Sequence, residues 1–318
     1  LIQDRATLLA DVAEMYYLEQ RNQAEIAKQI GVTRSMVSRM LTEARESGIV
    51  EIRVRRPVQA DRELETALIK HFGLKDASVV NTLNPESGRL LLALGAAGAQ
   101  ILKRFLVRKK IFGLAWGTSI SATVDAFEGS EPMKMRVVQM VGAMGARNLE
   151  YDGHHLVSRM SEKIGGEAYY LNAPFICPSP EMAQALLGTR SINEAITLSK
   201  KADVALLGVG TTLPEYSSFY LAGSVSLQEL NDLRQERAIG DVCGLHFDKN
   251  GLPTAHDFSE RLVTIRHKDL LSIPVRLGVA GGEGKAEAIL GSLRGRYINV
   301  LVTDSMTARK VLDLANTE

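Results

Sequence analysis

The chain is poor in cysteine, with only Cys177 and Cys243 in 318 residues, far apart in sequence. That pattern excludes a disulfide framework and points to a reducing compartment. There is no apolar run long enough to cross a bilayer as a helix, which excludes a helical membrane protein. There is no excess of one charge either. Lys and Arg number 38 against 37 Asp and Glu, so the formal net charge of +1 excludes a polycation that coats nucleic acid indiscriminately. No internal repeat or low-complexity segment is present. No His, Cys and Asp spacing matches a metal site, so neither a metal nor a cofactor is expected. No secretory signal opens the chain, and the cytoplasm is the expected location. The first residue is Leu1 rather than Met, so a few residues are expected to precede it.

What is present is an ordinary globular composition, 45% hydrophobic and 24% charged, at a length that suits one small and one large domain. The division is expected as 1–56 and 57–318. Basic character is concentrated near the N-terminus, with six Arg against three Glu between Gly31 and Arg56.

That basic region contains QAEIAKQIGVTRSMVSR, Gln23–Arg39. Ile26, Ala27 and Ile30 share one helical face. Gly31 breaks the helix where a positive φ is needed. Val32 packs the turn, and Thr33 is a good N-cap for a second helix whose buried face is Val37, Met40 and Leu41. Ala27 is small where the two helices come closest. The spacing predicts a helix-turn-helix, with Arg34, Ser35, Ser38 and Arg39 free to reach base edges and phosphates in a major groove, and Gln23 and Thr33 beside them. A helical hairpin that only packs is the alternative. Thr7–Glu19 reads as a bracing first helix, with Leu8, Leu9, Val12, Met15 and Tyr16 inward. Ile49–Val54 alternates like a strand or wing. Arg53, Arg55 and Arg56 fit phosphate contacts there, or a solvated cluster.

Pro57–Ala60 reads as a linker. Leu64, Leu68, Ile69 and Phe72 then mark an amphipathic helix, whose charges Arg62, Glu63, Glu65 and Lys70 suit a position between domains or subunits. Beyond it, apolar β runs (Ala77–Val80, Ile111–Trp116, Arg136–Val141, Val204–Val209, Val275–Val279, Ile298–Val302) alternate with helical stretches. That alternation predicts an α/β fold: a doubly wound, mostly parallel sheet covered on both faces. Gln228–Gly251 is less regular and reads as a hairpin or a long loop.

Four of the β runs end in glycine-containing loops: Gly117-Thr118-Ser119, Gly142–Gly145, Gly208–Thr211 and Gly281–Lys285. In a parallel sheet these loops share one edge, where ligands bind. Glycines let backbone N–H groups approach an anion, and a helix N-terminus adds a favourable dipole. With the hydroxyls of Thr118 and Ser119 and the charge of Lys285, the set predicts a phosphate pocket, although each loop alone fits a simple tight turn. Asp241, His246 and Asp248 in GDVCGLHFD could hold sugar hydroxyls, and His154 and His155 stand near the second loop. The loops match no nucleotide motif: Ala280–Ala286 has Ala286 where a P-loop needs Ser or Thr, and Gly208–Leu213 lacks the third glycine of a dinucleotide loop.

Taken with WGTSI, GDVCGLHFD and PVRLGVAGGEGKAEAILGSLRGRYINVLVTD, the N-terminal stretch QAEIAKQIGVTRSMVSRMLTEARESGIVEIRV resembles the SorC family of bacterial sugar-responsive transcriptional regulators over nearly the whole chain. The resemblance implies a winged-helix-like DNA domain joined to an effector domain similar to sugar-phosphate isomerases. It implies a tetramer, a dimer of dimers, that binds double-stranded operator DNA and a phosphorylated sugar. By position it gives Gly117, Thr118 and Ser119 to phosphate, with Lys285 adding charge, and Asp241 to the sugar hydroxyls. Gly142, Gly145, Gly210 and His246 complete the expected effector set. The alternatives are an isomerase with an accessory DNA module, using Asp241, Glu283 and Lys285, and a DNA-binding scaffold with no effector.

Overall fold

The computed structural model describes residues 4–51, 60–81, 87–106, 110–129, 132–145 and 151–317. Its contacts divide the chain into two compact units, Leu1–Pro57 and Val58–Glu318.

The first unit packs three helices, α1 (Arg5–Tyr17), α2 (Gln23–Ile30) and α3 (Arg34–Glu46), around a core that includes Val12, Ile26, Ala27, Val37, Met40 and Leu41. The ends of α2 are set locally. Asn22 accepts from the N–H groups of Ala24 and Glu25, both at 3.0 Å, and Glu25 reaches back to the Asn22 N–H. Gly31 closes the helix at φ 71°, a conformation that costs glycine little. The Thr33 hydroxyl accepts from Met36 N–H and starts α3. Arg5 on α1 pairs with Glu43 on α3. Ile49–Glu51 form no strand, and the rest of the expected wing, with Arg53, Arg55 and Arg56, lies outside the described residues.

The second unit opens with α4 (Arg62–Phe72) and β1 (Asp76–Val80), followed by α5 (Ser87–Leu106), β2 (Ile111–Leu114), α6 (Thr118–Ala126) and β3 (Arg136–Gln139). Next come α7 (Gly153–Ile164), β4 (Glu167–Tyr169), α8 (Pro180–Leu187), α9 (Arg190–Ser199), β5 (Val204–Leu207) and β6 (Gly210–Thr211). The chain continues through α10 (Ser218–Leu221), α11 (Leu227–Gln235), β7 (Gly240–Val242), β8 (Leu245–Phe247), α12 (His256–Glu260) and α13 (His267–Ser272). It ends with β9 (Val275–Val279), α14 (Ala286–Arg294), β10 (Val300–Asp304) and α15 (Ser305–Asn316). Seven strands form one sheet in the order β1-β10-β9-β5-β2-β3-β4, with every pairing parallel. Every residue of β2, β5, β9 and β10 is buried, so both faces are covered, as their largely apolar sequences require. A small antiparallel sheet, β6-β7-β8, stands apart from the large one. The irregular stretch 228–251 therefore holds most of a helix, α11, as well as the hairpin.

The helix α4 packs on β1 and α15 and buries Leu64 and Leu68, and one expectation about its charges is corrected. Glu65 is buried rather than exposed. Its Oε1 accepts the Val79 N–H at 3.1 Å, a donor of edge strand β1 that would otherwise lack a partner.

His267, at the start of α13, has a buried Nε2 without a hydrogen-bond partner and a ring 5.6 Å from that of Tyr297. Burial, together with His256, His246 and Arg266 nearby, pushes its imidazole down to about 4. The unfolded chain then binds a proton that the fold refuses, so stability falls as pH drops from about 6.5 to 4. Allowing for partial exposure, the loss is about 1–2 kcal/mol. Urea unfolding at pH 4.5 and 7 should show a smaller pH difference for His267→Phe than for the parent. An unchanged difference would remove His267 as the source.

Candidate functional site

The large sheet reverses its winding between β2 and β5. From β2 the chain moves outward through β3 to β4, then returns to lay β5 on the other side of β2 before continuing to β9 and β10. The loops after β2 and β5 therefore leave in opposite directions and open a crevice at the carboxyl edge. A cleft partly open to solvent lies there. It is lined by Trp116–Ile120 after β2, Gly208–Gly210 after β5, Asp241 and Cys243 of the β7–β8 hairpin, Ser218 and Phe219 of α10, and Lys285.

Each contribution has a local cause. Gly117 sits at φ 129°, and its N–H donates to the Tyr151 carbonyl at 3.1 Å. α6 starts immediately afterwards without a side-chain cap, so the first-turn N–H groups of Thr118, Ser119 and Ile120 have no intrahelical acceptor. Gly210 faces Asp241 across the β6–β7 pair, and a Cβ there would collide with the Asp241 carboxylate. The Asp241 Oδ2 accepts the Gly244 N–H at 2.9 Å, and Lys285 Nζ donates to the Val209 carbonyl at 3.0 Å. Burial pushes the Asp241 carboxyl above the usual carboxylate range, against the pull of His246, the Gly244 N–H and Lys285. Burial likewise lowers the Lys285 ammonium, which Asp241 opposes.

Other expected residues lie elsewhere. His246 is opposite Asp241 in the hairpin but stands behind it, 1% exposed, with its ring edge-on to Phe258 at 5.3 Å. Burial lowers its imidazole, and it supports Asp241 rather than lining the cleft. Gly142 and Gly145 are not brought to the cleft. The chain after β3 turns to bond with a neighbouring segment: Gly142 N–H donates to Val263, Ala143 N–H to Ala173, and Phe175 N–H to Ala143. Gly145 borders a second cavity instead, with Met144, Phe175 and Ser224.

In Gly281–Lys285 the central glycine is also committed internally. Gly282 N–H donates to Asp304 Oδ2 at 2.8 Å, so that loop sends only Lys285 to the cleft. Asp248 accepts the N–H groups of Asn250 and Leu252 in its own turn. His154 and His155 are exposed, and His154 stacks on Tyr170 at 4.0 Å. On α3, Arg34, Ser35, Ser38 and Arg39 are exposed together. The Thr33 hydroxyl is occupied by the cap, and Gln23 is half-buried at the start of α2.

The family model described as "Putative sugar-binding domain" matches residues 56–313, and that of sigma-70 region 4 matches 10–47. The sorbitol operon regulator of Klebsiella pneumoniae is 30% identical over 315 residues, covering 97% of this chain and 98% of that protein. The deoxyribonucleoside regulator of Bacillus subtilis is 28% identical and covers 98% of each chain. The crystal structure of the full-length Klebsiella regulator SorC superposes with a TM-score of 0.72 at 29% identity, covering 98% of this chain and 100% of that one.

The chain belongs to the SorC family of transcriptional regulators.

As a SorC-family member it is a regulator and not an isomerase, since its full-length relatives bear regulator names. Its N-terminal unit is a helix-turn-helix. Residue patterns missed Ser218 and Phe219, which α10 carries into the cleft with no motif to mark them. Trp116 carried a signal that was passed over, because it is the only tryptophan and directly precedes Gly117.

Proposed function

We propose that this SorC-family regulator binds operator DNA through residues 1–56 and a phosphorylated sugar through residues 57–318. On the DNA side, Arg34, Ser35, Ser38 and Arg39 read the major groove, with Gln23 and Thr33 beside them. On the effector side, the phosphate lies on Gly117, Thr118 and Ser119 at the start of α6. Lys285 adds charge, and Asp241 accepts from the sugar hydroxyls. The effector shifts operator affinity by its different affinity for two arrangements of a homo-oligomer, a dimer of dimers in the cytoplasm.

The observation that carries this reading is the convergence, at the switch point of the sheet, of an uncapped helix start, an ammonium group and a buried carboxylate in one cleft. A thermal-shift screen against pentose and hexose phosphates, with the same sugars lacking phosphate, tests it. A rise in melting temperature only with phosphorylated members is expected. No rise with any of them overturns the effector assignment and leaves the DNA reader intact. For the reader, Arg39→Ala is expected to weaken operator binding about tenfold, with the salt slope lowered by about 1 if Arg39 meets a phosphate. Unchanged affinity in a salt-titrated binding assay removes Arg39 from the interface.

A further inference from the structure

The cleft is lined by two unlike sets of groups: Lys285, Asp241 and the hydroxyl-bearing Thr118 and Ser119, and the aromatic residues Trp116 and Phe219. Trp116 is half-buried and lies 5.4 Å from Phe219, ring centre to ring centre, tilted by 44°. Phe219 is backed by Phe175 at 5.6 Å and 19°, so the aromatic wall is supported from behind. Trp116 immediately precedes Gly117, which starts the helix whose N-terminus would seat the phosphate. The first carbons beyond that phosphate are therefore within reach of the indole.

We propose that Trp116 is the platform on which the carbon skeleton of the effector lies, with a ligand hydroxyl accepting from its indole N–H. This rests on the sugar-phosphate reading and adds a selectivity to it. The site takes phosphorylated sugars that present a C–H face beside the phosphate-bearing carbon, and discriminates against a bare anion. Polarised C–H groups of the sugar are attracted to the negative face of the indole, while the sugar hydroxyls are left for Asp241 and Lys285. A rigid, backed indole does this at little entropic cost.

With one tryptophan in the chain, fluorescence excited at the red edge, where tyrosine does not absorb, reports on position 116 alone. The probes are the tightest-binding member of a panel of pentose and hexose phosphates, and inorganic phosphate. The sugar phosphate is expected to change the emission at saturation, and inorganic phosphate is expected to leave it nearly unchanged. By calorimetric titration, Trp116→Leu should lose about tenfold in affinity for the sugar phosphate and Trp116→Phe less, with competition by inorganic phosphate unaltered. Wild-type affinity in Trp116→Leu overturns the proposal. So does an unchanged wild-type emission at saturation, a measurement that needs no variant to fold. If no phosphorylated sugar binds at all, the sugar-phosphate reading itself fails, a result distinct from binding that ignores Trp116.

Discussion

Replacing Lys285 with methionine is expected to weaken sugar-phosphate binding by about 100-fold, the value of a charge-assisted contact made in a water-poor cleft. The same change should lower stability by about 2–3 kcal/mol, because Asp241, 7% exposed, loses the ammonium that offsets its burial. The two effects separate in a second variant. Asp241→Asn with Lys285→Met removes both charges, so most of the stability should return while binding stays lost. Melting curves and calorimetric titrations of the parent, both single variants and the double variant provide the cycle. Retained binding in Lys285→Met would remove Lys285 from the site. Simple addition of the two stability losses would show that the groups do not compensate one another.

Asp304→Ala should be the costliest single change in the large unit that touches no ligand. Asp304 ends β10, is 3% exposed, and accepts three hydrogen bonds. They come from the Gly282 N–H at 2.8 Å, the Thr307 N–H at 3.0 Å and the Thr307 hydroxyl at 2.6 Å. Removing the carboxylate leaves buried donors unpaired and uncaps α15 in one step, a loss of about 3–5 kcal/mol. Asp304→Asn keeps one acceptor oxygen and should cost about half as much. Urea unfolding measures both, and hydrogen exchange at Gly282 shows whether the loop carrying Lys285 has loosened. A loss below about 1 kcal/mol would mean that water or a neighbour replaces the carboxylate.

Much of this protein is legible along the chain. The helix-turn-helix is readable because its determinants are local: the positive φ at Gly31, the cap at Thr33 and a buried face repeating every third or fourth residue. The central strands are readable because burial on both faces leaves them almost wholly apolar, as in VALL and, Arg276 apart, VRLGV. Short edge strand β4, with exposed residues at both ends, lacked that signal, and α8 went unread as well. The last strand was placed two residues early: the sheet continues to Asp304, which serves as both strand end and helix cap.

The sequence by itself determined the architecture and the helix-turn-helix, and it supplied the residue types of the proposed phosphate site. Only the tertiary structure decided which of them meet. A glycine loop can offer its N–H groups to an anion only if no other part of the chain accepts them. At Gly142 the loop is bonded to the segment around residues 173–175 and to Val263, and at Gly282 the acceptor is Asp304, 22 residues downstream. After β2, among the described residues, no side chain caps the first turn of α6, which starts beside Lys285 and Asp241 in the cleft. The position of the switch point, and the aromatic wall that α10 contributes, follow from strand order and long-range packing, which no local spacing encodes.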